Sequence, residues 1–191
     1  MAYLTEQQLL NMGFKSLGQN VKISDKAAIY NCDQIQIGDH SRIDDFCVIS
    51  GHIKIGQYCH VTPMCLLAGG EFGLELQDFV TLAYGVKIFT QSDDYSGKTM
   101  TNSLIPKKYK NEFKSSVLLE KFVIVGANAT IMPNVVIKIG CSIGAMTLVL
   151  ESTTPWGIYV GVPARRIRDR SQKMLMFVES FLDELKVDDS I

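Results

Sequence analysis

The chain is poor in several things that would point elsewhere. Its 19 lysines and arginines are matched by 20 acids, for a formal charge of −1, so it lacks the cationic excess that holds nucleic-acid phosphates. No nucleic-acid partner is expected. No run approaches the roughly 18–20 apolar residues of a membrane span, and residues 1–11 have neither the basic start nor the apolar centre of a leader. These absences predict a cytoplasmic protein with no membrane insertion. The 5 cysteines form no Cys-x-x-Cys and no cluster with the 3 histidines, which argues against a disulfide framework and a structural zinc. No metal is expected.

What the chain has is a repeat. Aliphatic residues stand at every sixth position, Ile37, Ile43, Ile49, Ile55, Val61 and Leu67. Three residues are inserted around Gly69 to Gly73, and the count resumes at Leu76, Leu82 and Ile88. After a long polar segment it returns at Leu119, Val125, Ile131, Ile137, Ile143 and Val149. Four residues after these aliphatics the chain is almost always small or β-branched, as at Ser41, Cys47, Cys59, Cys65, Val80, Ala129, Cys141 and Thr147. Gly38, Gly56, Gly126 and Gly144, with Ala68 and Ala83, directly follow an aliphatic, as a tight corner requires.

A six-residue period does not fit a helical face, but it fits short strands of period 2 whose phase is reset by turns. Three such strands close an 18-residue triangular coil, and coils stack at about 4.8 Å through parallel ladder bonds. The aliphatic and small columns then fill the interior, and four of the cysteines become core filler. Cys59 and Cys65 are thereby removed as nucleophiles.

The stretches Ile37-Gly38-Asp39-His40-Ser41-Arg42, Val125-Gly126-Ala127-Asn128-Ala129-Thr130 and Ile143-Gly144-Ala145-Met146-Thr147-Leu148 resemble the hexapeptide-repeat acyltransferases. The ending Gly161-Val162-Pro163-Ala164-Arg165 is similar to the Gly-x-Pro-Ala-Arg ending of that group. The resemblance implies an all-β fold, a left-handed parallel β-helix with a projecting loop, and a homotrimer with active sites between subunits. On this reading residues 1–20 form an N-terminal helical segment, 21–168 the β-helix with an inserted loop at 89–118, and 169–191 a C-terminal amphipathic helix. The first helix has Thr5 as N-cap with Gln8 at the capping-box position and Gly13 as stop. The last has an apolar stripe of Met174, Phe177, Val178, Phe181, Leu182 and Leu185, with Ser171 as cap, and is expected to pack on the assembly.

The activity implied is transfer of an acetyl group from acetyl-CoA to a sugar. In many O-acetyltransferases of the group the loop carries a catalytic histidine beside a proline, whereas here Ser92 and Asp93 stand nearest that place and the loop has no histidine. An alcohol needs a general base to attack a thioester, and an amine once deprotonated needs much less help. The segments from Ile55 through Thr62, from Ser92 to Gly97 and from Trp156 to Tyr159 resemble acyltransferases of surface-polysaccharide gene sets, some of which acylate a nucleotide-linked 4-amino-4,6-dideoxyhexose. N-acetylation of such an amino sugar, for O-antigen or another surface polysaccharide, is the leading expectation. Sugar O-acetylation and a non-enzymatic β-helix scaffold are the alternatives.

Among the histidines, His60 precedes a corner near the coil from which the loop leaves, and it is the candidate base or amine-orienting group. Asp93 and Asp94 are candidates to orient it, from the same or a neighbouring subunit, or to bind the amine, although acids in such a turn also serve simply as turn formers. Tyr84, Ser92, Tyr95 and Lys98 are candidate acceptor contacts. For the donor, Ala83, Gly126, Ala127, Gly144 and Ala145 offer close approach to the backbone, with an oxyanion-stabilising N–H expected near Ala83 or Ala127. Arg165 and Arg166 are placed to meet the CoA phosphates. Trp156 either packs on the cofactor or plugs the last coil.

Overall fold

The computed structural model describes residues 2–188, with the side chains of 185–188 excepted, so the stripe residue Leu185 lies outside the described side chains. The backbone winds as a three-sided parallel β-solenoid of about 7 turns. One face stacks Lys22–Ile23, Arg42–Ile43, His60–Val61, Thr81–Leu82, Ile124–Val125 and Ser142–Ile143 in parallel register. Arg42 aligns with His60 and Ile124 with Ser142, each the 18-residue step of one coil. The longer strands Val48–Ile55 and Leu66–Leu76 bend around a corner and join the other two faces into one sheet. The Gly69–Gly73 insertion is absorbed there as irregular register between the two.

All fifteen aliphatic positions of the repeat are at most 2% exposed, and the small column from Ser41 to Thr147 is buried with them. Branched side chains fit because each short strand sends only its second residue inward. Cys47, Cys59, Cys65 and Cys141 are buried within this core, and burial pushes the Cys59 thiol up to about 12.

The corners differ in one respect from the simple sequence expectation. The residues in the left-handed region are not the glycines after the aliphatics but the residues two positions later, such as His40, Tyr58, Phe79, Phe122, Asn128 and Met146. Gly126 is needed because a Cβ there would lie 2.4 Å from the backbone N of Ala145 on the next coil. Stacking distance, not dihedral freedom, selects it.

The left-handed aromatic residues form a second column on the outside of one corner. His40, Tyr58, Phe79 and Phe122 stack with ring centroids 4.8, 5.4 and 5.2 Å apart. The C-terminal helix α2 (Met174–Asp188) sends Phe181 edge-on against Tyr58 and Phe79. Its stripe therefore packs on its own solenoid through Phe181, while Phe177 remains 75% exposed. Ser171 accepts from the N–H of Lys173, one turn before the helix proper. At the other end α1 (Glu6–Asn11) carries the Thr5–Gln8 capping box.

Candidate active site

The first residue after each inward aliphatic on the first face forms a continuous column: Asp44, Thr62, Ala83, Gly126 and Gly144. Their backbone N–H groups donate in sequence to Val61, Leu82, Val125, Ile143 and Tyr159 on the coil above. The candidate donor residues Ala83, Gly126 and Gly144 are thus brought together on one edge, with Ala127 and Ala145 beside them. Because the N–H of Ala83 is held by Val125 at 2.8 Å, it is not free to serve an oxyanion. Ala127 donates to no acceptor among the described residues, which leaves its N–H as the candidate of the two.

His60 lies on the same face, in register between Arg42 and Thr81. Its Nε2 is 2.9 Å from Oδ2 of Asp44, whose side chain is 3% exposed. The Nε of Arg42 donates to the other oxygen of Asp44 at 2.6 Å, a pairing that raises the guanidinium pKa. Arg42 in turn lies over the ring of Tyr3. Within the chain the carboxylate that meets His60 is Asp44, while neither Asp93 nor Asp94 is hydrogen-bonded to it. A signal for it was present in the sequence: Asp44 is a carboxylate in a corner column otherwise filled by Ser24, Thr62, Ala83 and glycines. Between Asp44 and Ala83 sits Thr62, whose Oγ1 is buried without a hydrogen-bond partner among the described residues.

The segment after Phe89 folds into an ordered projection. Gln91–Ser92 pairs antiparallel with Phe113–Lys114, and the chain re-enters the solenoid at Val117–Leu119. Glu112 ties the ribbon by accepting from Gln91, Lys110 and Lys114 at 3.1, 2.7 and 3.1 Å. Asp94 accepts from the N–H of Ser96 and from the N–H and hydroxyl of Thr99. These bonds, those from Ser96 first, hold its carboxyl below the usual range and mark it as the group that shapes the turn. The carboxylate of Asp93 has no hydrogen bond among the described residues, and with Asp94, Tyr95 and Thr101 it lines a cavity of about 210 Å³. The hydroxyl of Ser92 donates to the Asp93 carbonyl, while Tyr95 is 93% exposed and Lys98 and Tyr84 are open to solvent.

At the C-terminal end the chain folds back as Arg165–Asp169, antiparallel to Gly157–Val160. Arg166 is engaged by Asp169 at 2.5 Å and by Thr154, leaving Arg165 and Arg168 without an acidic partner among the described residues. Trp156 stands on the aromatic corner, over Gly140, where a Cβ would lie 2.4 Å from the indole. It is half-buried there, directly before the strand Gly157–Val160 that pairs with Ser142–Ile143. Arg170, which the sequence did not single out, bonds the carbonyls of Phe122 and Gly140 at 2.8 and 3.0 Å and pins this end down.

A protein of Escherichia coli named dTDP-4-amino-4,6-dideoxy-D-glucose acyltransferase is 42% identical over 178 residues, 92% of either chain. Among solved structures, the N-acyltransferase AntD of Bacillus cereus, in complex with dTDP and 3-hydroxybutyryl-CoA, matches with a TM-score of 0.95. It is 43% identical and the match covers 96% of this chain and 98% of that one. A serine-to-cysteine variant of AntD, bound to dTDP-4-amino-4,6-dideoxyglucose and coenzyme A, matches with a TM-score of 0.94 over 95% of this chain and 97% of that one, at 43% identity. A maltose O-acetyltransferase of Clostridium difficile, 21% identical with a TM-score of 0.55 over 87% of this chain and 75% of that one, shares the fold. No family model matches the chain.

Proposed function

The chain belongs to the dTDP-4-amino-4,6-dideoxyglucose acyltransferases, left-handed β-helix enzymes of the hexapeptide-repeat group, and from that premise we propose that it acylates the amino group of a dTDP-linked 4-amino-4,6-dideoxyhexose. One observation carries this reading: at 43% identity, nearly the whole chain superposes on an enzyme crystallised with that amino sugar nucleotide and coenzyme A. The loop supports it, since it offers carboxylates and hydroxyls but no histidine base. O-acetylation and a scaffold role have no comparable support, because the O-acetyltransferase likeness extends to fold alone.

On this reading the acyl-CoA lies along the Ala83–Gly126–Gly144 edge with its phosphates toward Arg165 and Arg168. The amine attacks the thioester carbonyl directly; the C–N bond forms, the C–S bond breaks and the thiol departs. The four core cysteines are buried and offer no nucleophile for an acyl-enzyme. Ala127 N–H faces the developing oxyanion, Asp93 binds the amine, and Ser92, Tyr84, Tyr95 and Lys98 contact the sugar nucleotide. The acyl group is acetyl or a short hydroxyacyl. The enzyme works as a homotrimer, each loop closing the site of a neighbour, in the cytoplasm, where its product serves surface-polysaccharide synthesis.

Thiol release from acetyl-CoA and 3-hydroxybutyryl-CoA, followed across dTDP-, UDP- and GDP-linked amino sugars beside galactosides and maltose, tests the reading. Turnover confined to the dTDP amino sugar is expected; turnover only with a hydroxyl acceptor overturns it.

A further inference from the structure

The short insertion in the repeat is stacked directly under the projecting loop. Pairing between the two long strands runs to Gly51↔Gly70 and resumes at Ile53↔Leu74, so Glu71, Phe72 and Gly73 stand opposite His52 alone. On the coil above, Phe89 pairs with Ala68 and Val117 with Leu74. The insertion therefore lies between the rungs from which the loop leaves and re-enters. Gly70 and Gly73 carry it through left-handed backbone and leave the Phe72 ring 55% exposed. The carbonyl of Gly70 is 3.0 Å from Nδ1 of His52. A carbonyl only accepts, so Nδ1 carries the proton, and Nε2 is the lone-pair nitrogen of the neutral ring, with no hydrogen bond among the described residues. Phe72 and His52 line a groove of about 410 Å³ with Lys15, Gln36, Lys54 and Glu75. Lys54 is spent on Glu75 at 2.9 Å, whereas Lys15 has no acidic partner among the described residues.

We propose that this groove holds the nucleotide end of the acceptor, with the pyrimidine base stacked on Phe72 and the diphosphate met by Lys15. The inference rests on the proposed N-acylation of a dTDP-linked sugar and adds where that nucleotide is bound. Packing of the solenoid does not account for an aromatic ring left in water on an insertion built from glycines. A flat aromatic face, an amide and an imidazole beside it, and an unpaired ammonium match the base face, base edge and phosphates of a nucleoside diphosphate. The volume is that of a small-ligand site. Nε2 of His52 accepts from the imide N–H of the base, and the Gln36 carboxamide donates to a ring carbonyl. Because Val117 and Leu118 at the root of the loop form the rim of the groove, a nucleotide anchored here sends its sugar along the loop toward Asp93. The groove lies on a different face from the Ala83–Gly126 edge. The amine is therefore presented to the donor edge of a neighbouring copy, as the proposed trimer requires.

The test titrates the full-length protein with dTDP by calorimetry and compares wild type with Phe72→Ala, Lys15→Met and, as a control on the exposed side of α2, Phe177→Ala. In each, kcat and KM are measured for the dTDP amino sugar and for acetyl-CoA. Phe72→Ala is expected to weaken dTDP binding and raise the acceptor KM roughly tenfold. Lys15→Met does so roughly threefold, and its effect shrinks as salt rises. The kcat, the acetyl-CoA KM and the melting temperature stay near wild type, and Phe177→Ala is silent. On binding to wild type the thymine methyl protons shift upfield, because they lie over the Phe72 ring; in Phe72→Ala they do not. Wild-type dTDP affinity and acceptor KM in both groove variants, with turnover intact, overturn the groove and leave N-acylation standing. A wild-type protein that neither binds dTDP nor acylates the amino sugar overturns both. Binding of dTDP that depends on Phe72, without amide formation, sustains the groove and overturns N-acylation.

Discussion

Gly126 shows how stacking distance selects a residue on the edge proposed to hold the acyl donor. A methyl group there would meet the Ala145 N at 2.4 Å and the Gly144 carbonyl carbon at 2.7 Å, atoms of backbone that cannot rotate away. Gly126→Ala is therefore expected to destabilise the fold by about 1–3 kcal/mol and to weaken CoA binding at the same edge. Thermal unfolding and calorimetric titration with CoA check both; a variant with wild-type stability would show that the coils have slack. The sequence made this column visible because small residues recur at a fixed step. It made Asp44 visible only as an exception to that step, and the partner His60 sits 16 residues away, a separation that becomes a contact only when the coils are stacked. The loop acids looked equivalent, Asp93 next to Asp94, yet hydrogen bonding separates them: one is consumed by Ser96 and Thr99, the other is not.

At the scale of elements, the aromatic corner is what the repeat did not announce. Its members occupy left-handed positions that glycine or asparagine usually fill, so their pattern reads as irregular surface until the coils align the rings. Phe181 joins α2 to that column, and an edge-to-face pair contributes about 0.5–1.5 kcal/mol beyond its buried area. Phe181→Ala is expected to raise amide exchange through residues 174–184 while leaving the solenoid amides protected; unchanged exchange in the helix would mean that other contacts hold it. The same corner carries Asp78, bonded to Lys121 at 2.9 Å, and Glu120, bonded to Lys138 at 2.9 Å. For both, burial raises the pKa, but the lysines and the backbone donors Gln57 and Ile139 outweigh it, and the native values lie below the ordinary carboxylate range. Their stabilisation is complete above the unfolded values near pH ~4 and is lost as pH falls through the depressed native values. Replacing both with their amides should flatten the loss of stability below about pH 4, read as melting temperature against pH. The loop was illegible in detail because it has no period; its order comes from Glu112 and Asp94 acting as local ties, which no spacing rule reveals.

For the whole molecule, the solenoid converts a linear repeat into straight edges, and a residue that breaks a column stands out along its edge. Inward columns were legible to the residue, as the burial of every registered aliphatic shows. The edge bearing Asp44, Thr62, Ala83, Gly126 and Gly144 runs from a charged foot to a basic end near Arg165, a polarity suited to an elongated donor with phosphates at one end. On the proposed reading, the nucleophile that meets the thioester on this edge is an amine. The most direct measurement is the NMR spectrum of the product formed from acetyl-CoA and dTDP-4-amino-4,6-dideoxyglucose. An amide N–H coupled to the sugar proton at the amino-bearing carbon, with the hydroxyls unchanged, is the predicted result. An acetyl ester on a hydroxyl with the amine left free would contradict the account.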